Sequence, residues 1–182
     1  MMGVEIEYKF LVDKARFEYH LKQLAGLHGN GIVRGVEIKQ SYFNLVDDKQ
    51  AVRVRTYDDE EAWLCIKADI DLISRHEFEY HIPVRDARVM MEQLCEYDAV
   101  TKTRYKVPVS KGALVSNWEV DVFSGDNEGL ITAEIELDTV DSAYVIPGWL
   151  GLDVTGQTKY LNSSLYFEPF EVWNENSDSF NL

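Results

Sequence analysis

Stretch after stretch of this sequence alternates a fully charged residue with an apolar one. Glu5, Glu7 and Lys9 interleave with Val4, Ile6, Tyr8 and Phe10, and Arg53 and Arg55 with Val52 and Val54. Trp63, Cys65 and Lys67 lie opposite Leu64 and Ile66, and Glu77 and Glu79 opposite Phe78 and Tyr80. Lys102, Arg104 and Lys106 oppose Tyr105 and Val107, while Glu119 and Asp121 oppose Trp118, Val120 and Val122. Last, Glu134 and Glu136 oppose Ala133, Ile135 and Leu137. Residues i, i+2 and i+4 of a β-strand share a face, so each stretch reads as a strand with one charged and one apolar side.

This period predicts strands over 4–12, 37–46, 51–57, 62–68, 76–83, 99–108, 114–123 and 130–137. Turn chemistry separates them at Asp47-Asp48, Asp58-Asp59, Ser110-Lys111-Gly112 and Gly125-Asp126-Asn127. Helical spacing is rarer. Asp13 is placed to cap a helix over 14–24 with Phe17, Leu21 and Leu24 on one face, and Asp86 to cap 87–95 with Val89, Met90 and Leu94 as its stripe. Short helices are predicted at 142–145 and 157–165. The chain is thus mainly β with a few flanking helices, arranged as a sandwich or a barrel. It reads as one domain over 1–172 with a polar tail at 173–182.

On any single strand, alternation ordinarily means a half-buried sheet with its charged side in water. Seven such strands with few neutral polar residues, sorted into acidic and basic pairs, strain that reading, because like charges two apart repel unless something opposite neutralises them. The alternative is a barrel turned inside out. Its apolar face is covered outside by helices and aromatic rings, and its charged face lines a central tunnel. An eight-stranded barrel has room for one small ligand. Arginine and lysine clusters suit phosphate oxygens, and clustered carboxylates suit hard cations such as Mg²⁺ or Mn²⁺. A polyphosphate bound together with metal satisfies both sets.

Composition narrows the partners. The 182 residues carry 18 Lys and Arg against 32 Asp and Glu, a net charge of −14, which disfavours nucleic acid as the main partner. The start lacks the basic and apolar regions of a secretory signal, and no apolar run approaches the ~20 residues that span a bilayer. Cys65 and Cys95 have no CxxC spacing or nearby histidine, as expected of reduced thiols in a cytoplasmic protein.

Glu5-Ile6-Glu7-Tyr8-Lys9 resembles the ExExK signature of the CYTH superfamily, the triphosphate tunnel metalloenzymes. Further segments follow in the same order: Arg53-Val54-Arg55, Trp63-Leu64 with Lys67, Glu77-Phe78-Glu79 and Lys102-Thr103-Arg104-Tyr105. Then come Trp118-Glu119-Val120-Asp121, Ala133-Glu134-Ile135-Glu136, and Val154-Thr155-Gly156 leading to Lys159-Tyr160-Leu161-Asn162. The resemblance implies a closed eight-stranded antiparallel tunnel that binds a triphosphate with two Mg²⁺ or Mn²⁺ ions. By position, Lys9, Arg53, Arg55, Lys67, Lys102 and Arg104 would hold phosphates and Lys159 would reach the substrate's tail. Glu5, Glu7, Asp121, Glu134 and Glu136 would ligate metal, with Glu134, Glu136 and Lys159 catalytic. Glu77, Glu79 and Glu119 face the same way and are candidates for metal binding or for orienting lysines. Two positions depart from relatives: Ala68-Asp69 stands where glycine is common, and Lys159 where arginine is common. The implied reaction is hydrolysis of inorganic tripolyphosphate to pyrophosphate and phosphate by a monomer or homodimer. A class IV adenylate cyclase, a thiamine-triphosphatase and a non-catalytic polyphosphate- or nucleotide-binding module share the same motifs.

Overall fold

The computed structural model describes residues 6–28, 33–44, 50–69, 75–137, 139 and 141–173. They form nine strands: β1 Ile6–Val12, β2 Gly35–Tyr42, β3 Gln50–Tyr57, β4 Glu61–Asp69, β5 Arg75–Ile82, β6 Val100–Lys111, β7 Leu114–Ser124, β8 Ile131–Leu137 and β9 Leu150–Asp153. Four helices accompany them: α1 Lys14–His28, α2 Val84–Gln93, α3 Asn162–Phe167 and α4 Phe170–Trp173. The chain is therefore mainly β and antiparallel, as the alternation predicts. None of the described helices is long and apolar enough to cross a membrane.

Two compact units emerge. One comprises Met1–Gly35, Thr103–Phe123 and Gly129–Tyr160, and the other Val36–Lys102, Ser124–Glu128 and Leu161–Leu182. In the first, the strand order is β6-β7-β8-β1-β9. Its apolar core joins the outer faces of β1, β7 and β8 to α1 through Val12, Phe17, Trp118, Val120, Ile135 and Trp149. Aromatic edges fit against one another there: Phe17 meets Trp149 at 5.3 Å and Phe10 meets Trp118 at 5.7 Å, both near-perpendicular. In the second unit the order is β5-β4-β3-β2, and Val54 and Ala62 pack against Ala87 of α2. Each unit packs a helix against part of the apolar side of its strands, while Phe78 and Tyr80 on the apolar side of β5 stay exposed. Neither run closes on itself.

Four expectations change. A ninth strand, β9, appears where only four residues pair with β1 across a register shift, too short a run for alternation to reveal. No helix forms at 142–145, because the Val145 N–H donates to Ser116 Oγ at 2.7 Å and its carbonyl accepts from Trp118 Nε1 at 3.0 Å. That backbone is committed to β7. Helix α2 starts three residues earlier than predicted, after Pro83, whose φ of −60° suits a helix start; Asp86 then lies inside the first turn. Its buried side is accordingly Ala87 with Met90 and Met91, while Val89 and Leu94 face outward. The predicted 157–165 helix is a 3-10 turn at Thr158–Tyr160 followed by α3. Asp13 does cap α1, its Oδ1 accepting the Arg16 N–H at 3.0 Å. The Asp47-Asp48 turn and residues 174–182 of the tail lie outside the described residues.

Candidate active site

In the first unit, register gathers the acids. β1 pairs with β8 so that Glu7 stands opposite Glu136 and Lys9 opposite Glu134, and β7 places Glu119 opposite Glu134. Directly paired residues share a face, so Lys9, Glu134 and Glu119 form one row across three strands, with Asp121 and Thr132 beside it.

Two cations hold this acidic row together. Lys9 Nζ lies 2.8 Å from Glu134 Oε1 and 3.7 Å from Glu7 Oε1, and donates to the Tyr160 carbonyl at 3.3 Å. Arg104 grips Asp121 at two points, Nε to Oδ1 at 2.6 Å and Nη2 to Oδ2 at 2.7 Å. The same guanidinium reaches Glu134 at 3.3 Å and hydrogen-bonds Glu119, which also pairs with the exposed Lys106 at 3.1 Å. Asp121 is 1% exposed and Lys9 6%. Charges so buried persist only when paired and hydrogen-bonded. Burial pushes the Arg104 pKa down, but the Asp121 hydrogen bonds and the charges of Asp121, Glu134 and Glu119 outweigh it and raise the value overall. Glu7 is raised, first by burial and then by Glu134; Lys9 pulls the other way, Glu136 adds to the rise and Arg104 opposes it. Glu136 itself is exposed.

These acids are all hard oxygen donors of the kind Mg²⁺ and Mn²⁺ take, so their chemistry fits a divalent metal. Among the described residues, though, no three carboxylates converge as a ready-made site. Lys9 and Arg104 instead neutralise these carboxylates.

The second unit presents a cationic face. Register aligns Tyr42, Arg53, Cys65 and Glu79 in one row, and Gln40, Arg55, Trp63 and His81 in the next. Arg55 donates to the Tyr57 hydroxyl at 2.8 Å and sits over that ring, while Arg53 comes only within 4.0 Å of Glu79. The Nε of both arginines and Oε1 of Gln40 are buried without a hydrogen-bond partner among the described residues. An orphaned buried donor costs about 1–3 kcal/mol, and a phosphate oxygen is the acceptor a guanidinium suits best. Lys102, 0% exposed, donates to Asn162 Oδ1 at 3.0 Å.

Of the expected residues, the structure brings Glu7, Lys9, Arg104, Glu119, Asp121 and Glu134 into one network. Arg53, Arg55 and Glu79 share one face of the other unit, and register sets the Lys67 position opposite the Glu77 position on that same face. Glu5 and the side chains of Lys67 and Glu77 lie outside the described residues. Lys159 is exposed in the 3-10 turn, its Nζ 5.0 Å from the centre of the Tyr160 ring. Sequence reasoning missed Gln40 and Tyr42, since β2 carries its charges, Glu37 and Lys39, on the opposite side. Thr155, within the Val154-Thr155-Gly156 segment, also contributes: its Oγ1 accepts the Lys9 backbone N–H at 3.0 Å.

Comparison with known proteins gives a consistent picture. The CYTH domain pattern matches residues 3–161. An inorganic triphosphatase of Acetivibrio thermocellus is 38% identical over 174 residues, covering 96% of this chain and all of the relative. An inorganic triphosphatase of Nitrosomonas europaea is 32% identical over 163 residues, 88% of this chain and 95% of the relative. Among solved structures, that of an inorganic triphosphatase superposes with a TM-score of 0.65 at 27% identity, covering 91% of this chain and 95% of the other.

Proposed function

The chain belongs to the CYTH domain family, and from that membership we propose that it hydrolyses inorganic tripolyphosphate to pyrophosphate and phosphate. The observation that carries the reading is a pair of guanidinium Nε donors on β3 buried without acceptors among the described residues, together with carboxylates gathered on β1, β7 and β8.

The proposal includes a closed eight-stranded tunnel, with the charged faces inward around the substrate. Arg53 and Arg55 offer forks to phosphate oxygens, Lys67 and Lys102 add point charges, and Lys9 and Arg104 exchange carboxylate for phosphate. Lys159 contacts the substrate's tail. Glu5, Glu7, Asp121, Glu134 and Glu136 would hold two Mg²⁺ or Mn²⁺ ions, which would supply charge neutralisation and a polarised water. Glu119, Glu77 and Glu79 orient the cations that face them. The water oxygen bonds to the terminal phosphorus as the bridging P–O bond breaks, and pyrophosphate leaves with the bonding pair. Glu134 and Glu136 fix the water's approach, and its proton passes to solvent. Holding three phosphates in line and neutralising their charge is the main catalytic contribution expected of such a site.

Residues 1–172 act as one functional domain in this reading, as a monomer or homodimer without nucleic acid or membrane partners. The reduced thiols of Cys65 and Cys95 are in keeping with a cytoplasmic location.

The test is product analysis after incubating the protein with Mg²⁺ or Mn²⁺ and, separately, tripolyphosphate and ATP. Orthophosphate and pyrophosphate from tripolyphosphate, with ATP largely intact, supports the proposal. Cyclic AMP from ATP would replace it with a cyclase, and binding without turnover with a binding module.

A further inference from the structure

Asn162 opens α3, and asparagine near a helix start ordinarily serves as a cap. Here it does not. The N-cap position is Leu161, and no side chain caps that end. Asn162 instead turns its Oδ1 to the ammonium of Lys102 at 3.0 Å. Because a lysine ammonium only donates, the oxygen of the amide must be the atom that faces it.

The anchor behind this contact is firm. Leu165 and Tyr166, on the same short helix, are buried at 0% and 2% exposure. Tyr166 accepts the Tyr97 backbone N–H at 3.0 Å and packs its ring 5.5 Å from that of Tyr42. The Asn162 backbone is therefore held in its unit, and its side chain sets where a long, flexible lysine ends.

We propose that Asn162 is a positioning residue for phosphate binding: it holds the Lys102 ammonium in place through a neutral acceptor. The inference rests on the triphosphate reading above. Lysine carries its charge on a four-carbon stem with many accessible rotamers, so an ammonium fixed beforehand loses less on meeting its ligand. A neutral amide oxygen does this without adding negative charge to compete with phosphate. Lys9 shows the contrasting arrangement in its own unit, where a carboxylate, Glu134, takes the ammonium.

The experiment titrates tripolyphosphate calorimetrically into metal-free protein, so that binding is read without turnover. The proteins are wild type, Asn162→Ala, Asn162→Asp, Lys102→Ala and the Lys102→Ala/Asn162→Ala pair, with melting curves alongside. Asn162→Ala is expected to weaken binding about tenfold, the scale of a lost coupling between contacting residues. Asn162→Asp keeps the shape but adds a charge beside the ammonium, and weakens binding at least as much. In the Lys102→Ala background the same alanine change has no further effect. A merely structural asparagine would give equal losses with and without Lys102, and that additivity overturns the proposal, as does wild-type affinity in the aspartate variant. A wild-type protein that binds neither tripolyphosphate in the absence of metal nor a non-hydrolysable tripolyphosphate analogue in the presence of Mg²⁺ overturns the functional reading and takes this inference with it.

Discussion

Arg104 and Asp121 form a two-point ion pair, 2.6 and 2.7 Å, around a carboxylate that is 1% exposed. The two residues are 17 apart in the chain, on adjacent segments of β6 and β7. The fork leaves neither carboxylate oxygen bare, and its remaining reach extends to Glu119 and Glu134.

Removing one partner of such a pair strands the other. Arg104→Ala should lower the stability of the metal-free protein by about 3–5 kcal/mol, the usual cost of an uncompensated buried charge. Urea titration of wild type and variant checks this. A midpoint unchanged by the substitution would mean that water already solvates Asp121. Added Mg²⁺ should recover part of the loss, since a metal can neutralise the same carboxylate.

Lys9 and Arg104 are proposed to serve phosphates, yet without ligand they are held by the proposed metal-binding acids. Metal and triphosphate should therefore bind with positive coupling, each releasing the groups that the other needs. With a non-hydrolysable tripolyphosphate analogue present, the dissociation constant for Mg²⁺ should fall at least about tenfold, a common size for coupling between sites. Calorimetric titration of metal with and without the analogue decides the matter. Independent binding would show that the cations do not leave the carboxylates.

Glu134→Gln/Glu136→Gln should abolish measurable phosphate release and spare part of tripolyphosphate binding, because the cations remain. Phosphate production and calorimetric binding are compared in the same buffer. Undiminished turnover in this variant rules out the water-positioning role given to the pair.

His20 supplies a pH signature remote from that chemistry. Burial lowers its pKa below the ordinary 6.5, and its Nε2 is enclosed without a hydrogen-bond partner among the described residues, with the Trp149 ring 6.2 Å away. The unfolded chain then binds the proton more readily than the folded one, so stability rises with pH between the folded value and 6.5 and is lost as pH falls through that window. Melting temperatures measured across this range should decline on acidification in wild type and decline less in His20→Gln. Parallel curves would assign the slope to other groups.

Much of this was legible beforehand. Strand identity and the division of faces follow from alternation, and the apolar side of β1, β7 and β8 does form the core around Trp118 and Phe17. The site was read less evenly. The charge pattern picks out Arg53, Arg55, Glu119, Asp121 and Glu134, but β2 misleads. Its ionised residues Glu37 and Lys39 lie on the other side, while neutral Gln40 and Tyr42 share the arginine face. In helix α2, Asp86 is the better cap by residue type, but the chain turns at Pro83 and docks Ala87 inward, which shifts the helix phase. The irregular stretch at 142–145 was invisible, since its hydrogen bonds go to Ser116 and Trp118, nearly thirty positions away.

Which side of each strand is charged is written in the order of residues, because a period of two is a property of the extended backbone alone. Which charge meets which depends on how the strands pair and pack. Lys9 finds Glu134, 125 positions on, through the β1–β8 register, and Arg104 takes Asp121, Glu119 and Glu134 together. Alternation is blind to register, and at distances of a few ångströms register sets the energy of every buried charge.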